Sequence, residues 1–328
     1  MKPLKRIAVT GGAGQIAYNL LFRIGAGELF GRDQPVALHI LEVEEALKAL
    51  EGVKMELQDC AFPLLLEIHI GSDPMALFQG VHYALLVGAK PRGPGMERSD
   101  LLKDNGHIFV GQGKALNAVA DRNVQVLVVG NPCNTNCLIA MTHAPKIPRR
   151  NFRAMTRLDQ NRAVALIAEK AHVNCAAVER VTIWGNHSST QVPDASQALI
   201  KGKPIREVIP DAKWFETVMI PSVQKRGAAV IAARGKSSAA SAANAILDAV
   251  RDMENSTPKG QWFSAAVHTG ENPYRLDPNL VYSMPCRSNG NGEYEVVKDL
   301  VCSDFILTKM KESEVELLEE RAFIANLL

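Results

Sequence analysis

The sequence predicts an α/β protein, with a doubly wound parallel sheet in its first half and an α+β domain in its second. Three observations carry that prediction. Short, mainly apolar runs at 5–10, 36–41, 82–87 and 124–129 are bounded by polar or Gly/Pro segments, as strands buried on both faces are. Stretches with helical spacing at about 14–26, 44–58 and 99–121 lie between them, so strand and helix alternate. A small-residue loop, Gly11-Gly12-Ala13-Gly14, ends the first run and opens the first helix, the join of a Rossmann-type fold.

The strand runs read Lys-Arg-Ile-Ala-Val-Thr, Val-Ala-Leu-His-Ile-Leu, His-Tyr-Ala-Leu-Leu-Val and Val-Gln-Val-Leu-Val-Val, each too short for a stable helix. The pattern changes after the proline-bearing connection Pro145 to Pro148, which puts the division at 1–152 and 153–328. Beyond it the spacing predicts a helix over 157–172, a strand near 180–184 and an Ala-rich helical region over 222–254. Strands follow near 261–268, 279–286 and 294–298, and the segment 304–328 reads as a surface helix of mixed charge. Internal repeats and low-complexity tracts are absent from the sequence.

A chain of 328 residues suits two domains, and 47% hydrophobic with 22% charged residues is a globular balance. No window approaches the ~18 consecutive apolar residues of a membrane span. The N-terminal Met-Lys-Pro-Leu-Lys-Arg runs into a short apolar stretch that Gly11-Gly12 breaks, without the pattern of a signal peptide, so a soluble, cytoplasmic protein is expected. Its net charge of +2 is spread evenly and forms no basic stripe for nucleic acid. Cys60, Cys133, Cys137, Cys175, Cys286 and Cys302 lack metal-binding spacing and are expected as free, buried thiols.

Gly11-Gly12-Ala13-Gly14-Gln15-Ile16-Ala17 gives Gly-x-x-Gly-x-x-Ala where a pyrophosphate would meet a helix N-terminus. Small residues let the backbone turn tightly and bring its amides to the phosphates. By itself the motif is also an ordinary tight turn; its place between strand and helix argues for a dinucleotide. Glu42 ends the second strand, where a carboxylate accepts from ribose hydroxyls and repels the extra phosphate of NADP, favouring NAD. The same position suits a solvated strand-end glutamate.

Oxidation of a secondary alcohol needs a base for the hydroxyl proton, and imidazole titrates near neutrality, at roughly 6.5. Of the eight histidines, His187 stands out in Trp184-Gly185-Asn186-His187-Ser188, just after an apolar run and in a Gly-containing turn. A hydrogen-bonded structural histidine fits that place as well. Asp159 and Arg162, three apart at the start of a helix, share a face: the carboxylate can hold an imidazole tautomer, and the guanidinium can grip a substrate carboxylate. A surface ion pair has the same spacing.

The loop from Gly88 to Arg98 carries Arg92 and Arg98 among glycines and prolines at a strand's carboxyl end, where they can reach an anionic ligand. Gly93 and Gly95 would let it close as a lid; an ordinary solvated basic loop is the alternative. In Val129-Gly130-Asn131-Pro132-Cys133-Asn134-Thr135-Asn136 the Asn131 amide can bond cofactor and substrate oxygen, though Asn-Pro is also a turn signal.

Together these ordered motifs resemble the lactate/malate dehydrogenase superfamily over essentially the whole chain, most closely its NAD-dependent malate branch of the cytosolic-like kind. The resemblance implies His187 as proton acceptor and Asp159 as its partner, Arg162 and Arg92 on the two carboxylates of malate or oxaloacetate, and Arg98 on the carbonyl. It also implies that Asn105, Gln112, Val129, Gly130 and Asn131 lie by the NAD cofactor, and that the protein is a homodimer of the tricarboxylic acid cycle. Ala17 stands where many members have glycine, and Gln160 where histidine is frequent. Lack of cysteine-bearing extensions speaks against the redox-regulated chloroplast type.

Arg92 supplies the charge that a second substrate carboxylate requires, where lactate enzymes that resemble this site carry glutamine. The competing functions are a lactate or other 2-hydroxy acid dehydrogenase, disfavoured by Arg92, and a non-catalytic NAD-binding protein, which has no need of a proton acceptor.

Overall fold

The computed structural model describes residues 2–90 and 98–328, the side chains of 98–101 excepted. Met1–Ala154, Ala239–Arg251 and Glu320–Leu328 form one unit, and Met155–Ser238 with Asp252–Glu319 the other. A single cut after residue 152 therefore differs from the structure, because two later segments return to the first unit.

In unit 1 the strands are β1 (Lys5–Thr10), β2 (Val36–Leu41), β3 (Leu65–Gly71), β4 (Tyr83–Leu86), β5 (Gln125–Val128) and β6 (Phe152–Ala154). They pair in parallel in the order β6-β5-β4-β1-β2-β3. The helices between them are α1 (Gln15–Gly25), α2 (Leu47–Asp59), the short α3 (Pro74–Leu77), α4 (Arg98–Val119) and α5 (Cys133–Thr142). All six residues of β2 and all four of β4 are buried, which explains their unbroken apolar sequence. β3 was not anticipated. It is the edge strand, with Leu66, Glu67 and His69 exposed, so its polarity never settles into one pattern.

The order reverses between β1 and β4, and at such a switch point a crevice opens outside the carboxyl ends of the strands. Side-chain contacts tie in the later segments: Arg23 of α1 donates to Asn244 Oδ1 at 3.1 Å, and His143 Nε2 meets the Leu327 carbonyl at 2.9 Å. The buried Glu320 carboxylate accepts from Thr135 Oγ1.

Unit 2 begins with α6 (Arg157–Lys170), then β7 (Val178–Glu179), β8 (Thr182–Trp184), β9 (Val192–Asp194), β10 (Leu199–Ile200) and β11 (Lys203–Pro204). Short helices α7 (Ile205–Val208) and α8 (Ala212–Trp214) lead through a π-helical turn into α9 (Ile220–Arg234); the next helix, α10 (Ala240–Glu254), belongs to unit 1 as far as Arg251. The Ala-rich stretch expected as one helical region is thus two helices, with Gly235 in the left-handed conformation closing the first. β12 (Phe263–His268), β13 (Val281–Gly290) and β14 (Glu293–Val296) form an antiparallel meander.

The last helix, α11 (Asp304–Phe323), departs from its expected surface character: Ser313, Glu314, Leu317 and Glu320 are buried. Cys133, Cys137 and Cys286 are buried thiols, but Cys60 and Cys175 are exposed and Cys302 is intermediate, contrary to the expectation of burial throughout. Among the described residues no helix is long and apolar enough to cross a membrane.

Candidate active site

The switch point of unit 1 is made of backbone. Gly11 adopts φ +69, and a Cβ there would lie 2.7 Å from Gly88 Cα, so the ends of β1 and β4 close on each other only because both residues lack side chains. Gly88 N donates to Thr10 Oγ1 at 2.9 Å, which locks the approach. Thr10 escaped sequence reasoning because a strand-end threonine carries no motif.

Past this point α1 starts at an N-cap, Gly14, that provides no side-chain cap, and Gly14 and Gln15 are exposed. The amides of the first turn are therefore open to an anion. Ala17 is fully buried where α1 meets the sheet, and its methyl group is accommodated there. Glu42 folds back on the loop: its Oε2 accepts from Ala13 N at 3.0 Å and its Oε1 from Val43 N at 2.9 Å. A carboxylate is thus fixed against the glycine loop.

On α4, Asn105 is fully buried, and its side chain holds both backbone groups of Lys90, accepting from N at 2.8 Å and donating to O at 3.1 Å. It shapes the turn after β4. Gln112 Oε1 is buried with no partner among the described residues, an acceptor that a ligand's hydroxyl or amide groups would satisfy. After β5, Val129 and Gly130 are buried and donate to the Leu86 carbonyl at 2.9 and 3.0 Å, while Asn131 is exposed and joined to Pro132 by a cis bond. These features fit a dinucleotide: uncapped helix amides for pyrophosphate, a carboxylate for ribose and an unsatisfied acceptor on α4. Arg92, with Gly93 and Gly95, lies outside the described residues; Arg98 is the first residue of α4.

The titrating cluster belongs to unit 2. Asp159, in the first turn of α6, is completely buried. Its Oδ2 is hydrogen-bonded to His187 Nδ1, and its Oδ1 accepts from Arg162 Nη1 at 3.2 Å. His187 and Arg162 keep 16% and 13% of their side-chain surface, enough to meet a small ligand. Ser238 Oγ accepts from Arg162 Nη2 at 3.3 Å, a second anchor for the guanidinium that no sequence motif marks. Gln160, beside Asp159, turns away to bind the Val181 carbonyl at 3.1 Å and the Ser264 amide at 2.8 Å.

Burial works to lower the His187 pKa. The Asp159 carboxylate outweighs it by charge and by hydrogen bond, against a smaller opposing push from Arg162, so the net shift is upward from histidine's ordinary value. A carboxylate can only accept, so Nδ1 carries the proton and Nε2 is left as the basic atom. Among the described residues no group of three or more His, Cys, Asp or Glu is placed to hold a metal.

Residues 5–153 match the lactate/malate dehydrogenase NAD-binding domain, and residues 156–326 the lactate/malate dehydrogenase α/β C-terminal domain. The chain is 58% identical to a malate dehydrogenase of Protochlamydia amoebophila (strain UWE25), covering 100% of this chain and 99% of that protein. It is 55% identical to the chloroplastic malate dehydrogenase [NADP] of Zea mays, covering 99% of this chain and 76% of the relative. The crystal structure of malate dehydrogenase from Naegleria fowleri superposes with a TM-score of 0.96 at 48% identity, over 100% of both chains.

Proposed function

The chain belongs to the lactate/malate dehydrogenase family and its activity is that of a malate dehydrogenase; on that premise we propose that it uses NAD and that His187 handles the proton. The observation that carries the assignment of residues is the division of Asp159 between His187 and Arg162. A 2-hydroxy acid has its hydroxyl and carboxylate on adjacent carbons, so its oxidation needs a base and a carboxylate-binding cation side by side. One buried aspartate holds both.

In malate oxidation the hydroxyl proton passes to His187 Nε2, and Asp159 stabilises the resulting imidazolium. In oxaloacetate reduction the same atom returns it. Arg162 holds the carboxylate next to the reacting carbon bidentately, and Ser238 and Asp159 limit the guanidinium's freedom. Arg92 is assigned to the distal carboxylate and Arg98 to the carbonyl oxygen, on the sequence resemblance. When bound, NAD would supply the hydride acceptor and, in its reduced form, the hydride donor. Gly11 to Ala17 would receive its pyrophosphate, Glu42 its adenine ribose, and Gln112 and Val129 to Asn131 the remainder, with Asn105 acting through the turn at Lys90.

The preference for NAD rests on Glu42. The plant relatives named for NADP make this a real choice, and a carboxylate held on the Ala13 amide opposes a ribose 2′-phosphate. The proposal extends to the cytosolic-like NAD branch, a homodimer, a cytoplasmic location and a place in the tricarboxylic acid cycle.

The test is NADH absorbance with purified protein. Rapid oxidation with oxaloacetate, little with pyruvate and slower turnover of NADPH are expected. Efficient turnover of pyruvate would move the protein to the lactate side of the family and void the role of Arg92. Equal use of NADPH would void that of Glu42.

A further inference from the structure

The turn that carries His187 is unusually tied to one helix. Gly185, at φ +96, opens it, and a Cβ there would lie 2.2 Å from Ser313 Oγ of α11. Ser313 Oγ accepts from Asn186 N at 2.8 Å and contacts Thr190 Oγ1 at 2.9 Å. One turn further along α11, Glu316 Oε2 accepts from Asn186 Nδ2 at 2.9 Å, from Thr190 Oγ1 at 2.6 Å and from Ser188 Oγ. Three donors on both sides of His187 thus converge on one carboxylate oxygen.

Ser313 and Glu316 are three residues apart and share a face of α11, so one rigid helix grips the turn at two points. Hydrogen bonds to an ionised acceptor are stronger than neutral ones, and the Asn-His-Ser-Ser-Thr turn carries only polar side chains. We propose that Glu316, with Ser313, is the positioning residue of the proton acceptor: it fixes the 185–190 turn so that the His187 ring meets Asp159. The inference rests on the proposed role of His187. Among the described residues, the charged groups facing this ring and its turn are Asp159 and Arg162 from α6 and Glu316 from α11.

The test compares wild type, Glu316→Ala and Glu316→Gln in two readouts. The first is the titration of the His187 imidazole by NMR in the absence of substrate, its signal assigned by loss in His187→Gln. The second is steady-state kinetics with oxaloacetate and NADH. Glu316→Ala should lower kcat about ten- to hundredfold with the KM for NADH unchanged, since small misplacements of a reacting group have costs of that order. It should also move the His187 midpoint downward as the bond to Asp159 loosens.

Glu316→Gln keeps an acceptor oxygen and should restore most of both. A wild-type midpoint and kcat in Glu316→Ala would overturn the inference, as would a kcat loss that glutamine fails to rescue with an unmoved midpoint. If the alanine variant does not fold, Thr190→Val removes one donor and leaves α11 intact; it should show the same downward shift, and an unmoved midpoint overturns the proposal. Because the titration needs no turnover, a wild-type protein inert toward oxaloacetate would sink the proposed function separately, leaving the titration to decide the positioning role.

Discussion

Asp159 serves two masters: its Oδ2 is hydrogen-bonded to His187 and its Oδ1 to Arg162, while the carboxylate itself has no exposed surface. With the roles proposed for His187 and Arg162, proton transfer and carboxylate binding both depend on this one side chain. Asp159→Asn should lower kcat by about two to four orders of magnitude, because an amide at that place no longer dictates the imidazole tautomer. Binding of oxaloacetate should weaken as well, through Arg162. Steady-state kinetics with oxaloacetate check both; loss of kcat alone would separate Arg162 from substrate.

The upward shift at His187 fixes the sign of the pH dependence. With His187 as the proposed proton acceptor, malate oxidation needs the neutral ring, so the acidic limb of its kcat/KM profile should lie above histidine's ordinary ~6.5. Oxaloacetate reduction needs the protonated ring and should persist to correspondingly higher pH. For stability the raised folded value means that the stabilisation is full below the unfolded pKa and is lost as pH rises through the folded one. Urea unfolding of the wild type should show that decline, and His187→Gln should lack it.

At the nucleotide loop, Glu42→Gly removes both the carboxylate and its bond to Ala13 N. The ratio of kcat/KM for NADH over NADPH should fall by about tenfold or more, since one unfavourable charge contact with a phosphate is worth about 1–2 kcal/mol at a partly solvated site. An unaltered ratio in paired assays would place cofactor discrimination elsewhere.

Arg92→Gln should abolish most oxaloacetate turnover, by about 30-fold or more, and shift preference toward pyruvate. Unpairing a buried charge costs about 2 to 5 kcal/mol. Competition between the two substrates in one assay reads the change directly, and unchanged oxaloacetate kinetics would remove Arg92 from the site.

Much of this architecture was legible in advance where burial is uniform. β2, β4, β5 and the buried stretch Ile7 to Val9 of β1 sit inside a covered parallel sheet and are mainly apolar. β3 was not legible, because an edge strand faces solvent along part of its length. The break between α9 and α10 depends on one left-handed glycine within an otherwise continuous Ala-rich stretch. At the site, residue types suggested a partner for His187, and Asp159 stands 28 positions away from it in the chain. Ser238, Ser313 and Glu316 were invisible because a serine or glutamate acquires meaning only from what long-range folding brings to it. The assignment of 239–251 and 320–328 to unit 1 is of the same kind: it follows from long-range contacts, among them that of Arg23 with Asn244, which leave no periodic trace.

That last assignment bears on the order in which the protein is made. β1 emerges from the ribosome early, yet the unit it belongs to includes Glu320–Leu328, synthesised only after nearly all of the other unit. Synthesis cannot deliver one finished unit and then the other, since the chain must leave the first and come back to it. The nascent sheet therefore waits, with the surface around Thr135 and His143 uncovered, until the returning segment arrives, and exposed surface of that kind is what makes incomplete folds prone to aggregate.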